Sequence, residues 1–86
     1  MIKEIKGIKD VEKKVKGIIS ESLSADESAL SLETGPGDIP QWDSLGHQVV
    51  LSSVEKFFNI AFSIDEALDI ETIEDLVEIT ASRIGK

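Results

Sequence analysis

Eighty-six residues without a cysteine make one small domain with a modest core, which neither a disulfide nor a thiolate metal site can brace. Its net charge of −8 is uneven: residues 1–17 hold six lysines against three acids, and residues 18–86 hold three basic residues against fourteen acids. Such an acidic body lacks the Lys and Arg that phosphate contacts need, which argues against nucleic acid, and no apolar run approaches the ~18 residues of a membrane span. With no secretory leader pattern either, the expectation is a cytoplasmic monomer without stable membrane insertion, met by protein partners through electrostatic steering.

In chain order, Ile2, Ile5 and Ile8 recur among lysines, but Gly7 interrupts them. Residues 1–9 therefore read as a partly ordered N-terminal extension and residues 10–86 as a single domain. Three isoleucines are too few for a basic amphipathic membrane contact. Asp10 can cap a first helix over about 10–23, with Val11, Val15, Ile18, Ile19 and Leu23 as its apolar stripe. Residues 24–43 are rich in Ser, Asp, Gly and Pro, and a connection of that length inside a small domain is often functional. Ala29, Leu30, Leu32 and Ile39 are expected to pin it to the core.

The stretch Trp42-Asp43-Ser44-Leu45 ends that loop and opens a second helix, over 44–58, and the chain is organised to present it. On a 3.6-residue wheel Val50, Leu51, Val54, Phe57 and Phe58 form the core face, with His47 in the same arc. Leu45 and Val49 fall opposite, with Ser52, Ser53 and Lys56, as a small recognition surface beside the serine. Asn59 can stop this helix. Ser63-Ile64-Asp65-Glu66 has the form of a capping box and opens a short helix over about 64–69. Thr72 caps a fourth helix with Ile73, Leu76, Val77, Thr80 and Ile84 inward, and Gly85 ends it. With no alternating strand pattern the class is all-α.

Ser44 is placed at a helix start, where unpaired N–H groups and the macrodipole favour a phosphate; its plainest role there is an N-cap. A hydrolase would need a base for that serine. The one histidine, His47, lies on the same helix toward the core, and no Gly-x-Ser-x-Gly elbow is present. One His and no Cys exclude the usual zinc sets, Asp65, Glu66, Asp69 and Glu71 lack calcium-loop spacing, and Gly35-Pro36-Gly37 lacks the lysine of a phosphate loop. The residues point instead to a serine modified by another protein.

From Asp43-Ser44-Leu45, the Val50, Leu51, Val54 and Phe58 face, Phe62, Asp65-Glu66-Ala67-Leu68, Ile70 and Ile73-Glu74-Asp75-Leu76, the chain resembles the acyl carrier protein family, including peptidyl and aminoacyl carriers. The resemblance covers about residues 10–84. It implies a four-helix bundle with a short third helix and a long loop between helices 1 and 2. It implies that Ser44 receives 4′-phosphopantetheine from coenzyme A through a magnesium-dependent phosphopantetheinyl transferase. The terminal thiol would hold an acyl or aminoacyl group as a thioester, and the protein itself would not be an enzyme. Asp43 and Leu45 would flank the arm as cofactor-binding residues, and Asp43 would help position Ser44 and contact the transferase. Leu45, Val49, Ser52 and Lys56 would dock a loading ligase and a downstream synthase or transferase.

Gly46, His47 and Gln48 follow the Asp-Ser-Leu motif, where carriers for fatty acid synthesis usually place an acid, and the second helix holds only Glu55 against Lys56. Trp42-Asp43-Ser44 is closer to specialised free-standing carriers and to the D-alanyl carrier type. The reading is a dedicated carrier of a particular fatty acid, polyketide or nonribosomal peptide pathway rather than the bulk fatty acid carrier. The alternative is a carrier-fold interaction module with no prosthetic arm.

Overall fold

The computed structural model describes residues 8–84, which form four α-helices and, among the described residues, no strand. They are α1 (Ile8–Leu23), α2 (Ser44–Phe58), α3 (Ile64–Asp69) and α4 (Ile73–Ile84). The all-α four-helix class expected from the sequence holds, and α2 and α3 match their expected spans. Helix α1 starts at Ile8 rather than Asp10, so Asp10 lies in its first turn instead of capping it. An acid there still complements the helix dipole. The readings made for Ile2, Ile5 and Gly85 fall outside the described residues.

Helix α1 packs along both α2 and α4. Val11, Val15 and Ile19 of α1 meet Val50, Leu51 and Val54 of α2 and Ile73, Leu76 and Val77 of α4, all buried. Each face repeats at three- and four-residue spacing, which stacks side chains on one side of a helix. Removing such a side chain from water stabilises the fold by roughly 1.5–3 kcal/mol. Thr80 shares this core, and its buried hydroxyl has no hydrogen-bond partner.

Two residues assigned to the core lie outside it. Phe57 is 48 % exposed: the adjacent Phe58 takes the inward place, and the rings meet edge-on with centroids 4.9 Å apart. The apolar arc of α2 is thus narrower than the wheel allowed. Ala29 is exposed because it ends a single 3-10 turn, Glu27–Ala29, and the next residue, Leu30, is buried instead.

Local chemistry sets the helix ends. Asn59 adopts the left-handed conformation (φ 58°) and closes α2. The capping box forms as expected: the Ser63 hydroxyl accepts from the Glu66 N–H at 3.1 Å, and the Glu66 carboxylate accepts from the Ser63 N–H at 2.9 Å. Arg83 of α4 reaches back to the same carboxylate and donates to the Ala61 carbonyl at 3.0 Å. The Thr72 hydroxyl accepts from the Asp75 N–H at 3.2 Å at the start of α4.

The long connection is fastened to α4 at its middle and folds back on itself before α2. The Thr34 and Leu32 carbonyls accept from the N–H groups of Ile73 and Glu74 at 2.8 and 3.0 Å, so the loop itself satisfies the first donors of α4. Gly35 allows this approach: a Cβ there would stand 1.8 Å from the Glu71 carbonyl oxygen. Toward α2, the Gly37 N–H donates to the Trp42 carbonyl at 2.8 Å and the Trp42 N–H to the Ile39 carbonyl at 3.1 Å. Leu32 and Ile39 pack on the core as expected. Trp42, read as part of the presented stretch, is wholly buried.

Candidate functional site

The loop and α2 meet at Asp43 and Ser44. Asp43 is the cap: its backbone is extended, and its Oδ1 accepts from the Gly46 N–H at 2.8 Å. Ser44 is the first helical residue and is exposed. This corrects the N-cap reading of Ser44. A carboxylate one residue earlier does the capping, so the serine hydroxyl is not needed for it. Helix geometry leaves the N–H groups of Ser44 and Leu45 without intrahelical acceptors, at the positive end of the helix dipole.

Gly46 makes this geometry possible. It is buried, and a Cβ there would stand 2.3 Å from the Gln41 carbonyl oxygen and 3.1 Å from the Leu23 side chain. The start of α2 is thus pressed onto the end of the loop and the last turn of α1. No larger residue, acidic or otherwise, fits at this position without a shift of the backbone.

His47 is half-buried one turn further on. Its Nδ1 accepts from the indole N–H of Trp42 at 3.0 Å. Nε2 therefore carries the ring proton and donates to the Ala67 carbonyl of α3 at 3.2 Å. Both ring nitrogens are committed, so the imidazole has no free lone pair to take a proton from Ser44, and the hydrolase reading loses its base. Among the described residues no three of His, Cys, Asp or Glu group as metal ligands would, and no helix is long and apolar enough to cross a membrane.

A groove of about 580 Å³ begins at Ser44 and runs between the loop, α2 and α3, lined by Pro36, Leu51, Ala67 and Leu68 among others. Leu45 and Val49 are exposed at 70 % and 42 %, and Ser52 and Lys56 continue the same outward stripe of α2. The sequence reading missed Leu68 and Ile64, the exposed apolar residues of α3. In a six-residue helix the period is too short to tell an outward leucine from an inward one. Glu55, one of the two charged residues of α2, turns its carboxylate to the Phe62 N–H at 2.8 Å.

Neither family models nor curated proteins match the sequence. A solved structure does: that of a holo acyl carrier protein from Geobacter metallireducens, determined in solution by NMR. The two share 25% identity and superpose with a TM-score of 0.79, over 87% of this chain and 86% of the other.

Proposed function

From the premise that this chain has the fold of an acyl carrier protein, a carrier rather than a catalytic enzyme, we propose that Ser44 is its attachment point for 4′-phosphopantetheine. The observation that carries this reading is the division of labour at the start of α2. Asp43 caps the helix, and Ser44 stands exposed as its first residue.

The residues present fit the group. An exposed hydroxyl suits a transferase that must reach it. The N–H groups of Ser44 and Leu45 favour a phosphodiester formed on that oxygen. The groove beside Ser44 has room for part of an extended amide chain, with apolar walls from Pro36, Leu51 and Leu68 and polar groups from Gln48 and Asp43. Once attached, the arm supplies a thiol that holds an acyl or aminoacyl group as a thioester. Asp43 keeps the serine in register by fixing the first turn of α2, and its carboxylate lies within reach of an approaching transferase.

Leu45, Val49, Ser52 and Lys56 serve as the docking stripe for the transferase, for a loading ligase and for a downstream synthase or transferase. The stripe is nearly uncharged, which supports a dedicated pathway over one that recognises its carrier by acids on α2. The reading is tested on protein taken from its native cells. The peptide containing Ser44 is expected to be heavier by one phosphopantetheine, and hydroxylamine should release an acyl group from it. A Ser44 peptide bearing no modification in any of that protein would instead favour an interaction module without an arm.

A further inference from the structure

Resting on the carrier reading, we infer that this protein holds a short acyl group outside its core, and that Trp42 and His47 are the residues that keep a longer chain out. The groove lies between the loop, α2 and α3, and Trp42 and His47 both line it. Trp42 fills the space beneath it with no exposed surface. Its indole N–H is held by His47, and His47 in turn holds the Ala67 carbonyl of α3. These two hydrogen bonds tie the loop end, the first turn of α2 and the third helix together at the groove.

An alkyl chain passing this point must part the tie. That would leave the N–H of the wholly buried Trp42 without a partner, and methylene groups offer no acceptor in exchange. Helix α3 has no buried residue of its own; beside this bond it is held by Ala67 packing on the core and by Glu66 meeting Arg83 of α4. Outside the tie, the groove mixes apolar walls with Ser44, Asp43 and Gln48, which suits a small acyl group on a polar amide arm. A short group also gains little from burial, because the gain scales with apolar area.

The test uses the full chain, loaded at Ser44 by a transferase with acetyl-coenzyme A or with octanoyl-coenzyme A. Intact mass is read first: no increase with either donor refutes the carrier reading itself, independently of this inference. With loading established, the two forms are expected to share one thermal midpoint, one Trp42 emission maximum and the same methyl NMR shifts at Val54 and Leu76. A higher midpoint for the octanoyl form, or movement of those core signals, overturns the inference. In His47→Ala the tie is gone, and the octanoyl form should become more stable than the acetyl form. Equal midpoints in that variant would overturn the role given to His47.

Discussion

The indole N–H of Trp42 donates to Nδ1 of His47 at 3.0 Å, and this bond fixes which nitrogen of the histidine carries a proton. It joins the last turn of a twenty-residue connection to the helix that presents Ser44. His47→Ala leaves a buried donor without a partner, so a loss of about 1–3 kcal/mol is expected in urea unfolding. Trp42 is the only tryptophan in the chain, so its emission should shift in the same variant and reports this contact directly. Unchanged emission and stability would show that the pair contributes nothing.

Gly46→Ala should be costly although alanine is the better helix former. The added Cβ would meet the Gln41 carbonyl oxygen at 2.3 Å, and backbone must move to admit it. Overpacking of this kind costs about 1–3 kcal/mol, more than helix propensity returns. A thermal melt that rises in Gly46→Ala would contradict the close approach of loop and helix.

The two faces of α2 separate docking from stability. Val49→Asp changes an exposed residue and should move the melting temperature by no more than about 2–4 °C, since surface changes stay within ~0.5 kcal/mol. The same variant should slow arm transfer, read as kcat/KM of the transferase. Val54→Ala empties a fully buried site and should cost about 1–3 kcal/mol without a specific effect on transfer. An unfolded Val49→Asp would reverse the assignment of the faces.

The start of α3 carries a pH dependence of known sign. Glu66 is held below its ordinary value of 4.5, first by the hydrogen bond from Arg83 and then by the Ser63 backbone N–H. A carboxylate depressed in the folded state contributes stability that is present above pH 4.5 and lost as the pH falls through its lowered value. The protection factors of the Ala67 and Leu68 amides, taken against their intrinsic exchange rates, should therefore fall below pH 4.5, and Glu66→Gln should flatten that dependence.

Much of this architecture was legible in the sequence because helices announce themselves by period and cap. The stripe Val11, Val15, Ile19 and the Ser63–Glu66 capping box depend only on residues within a few positions of one another. The outward placement of Leu45 and Val49 followed from the same periodicity. Trp42 escaped because a loop residue has no period, and its partner His47 lies across the boundary between loop and helix, where no single period relates the two. The fastening of Leu32 and Thr34 to the start of α4 is likewise a contact between distant segments, invisible to local pattern. Choosing between Asp43 and Ser44 as the cap turned on one residue of register, which adjacent capping residue types do not resolve.

The central claim is that the hydroxyl of Ser44 accepts the arm. The measurement is intact mass after incubation of the apo chain with coenzyme A, magnesium and a phosphopantetheinyl transferase. The account predicts a gain of one phosphopantetheine in the wild type and none in Ser44→Ala, with both proteins folded. A wild-type chain that gains nothing, or a Ser44→Ala chain that gains the same mass, would contradict it.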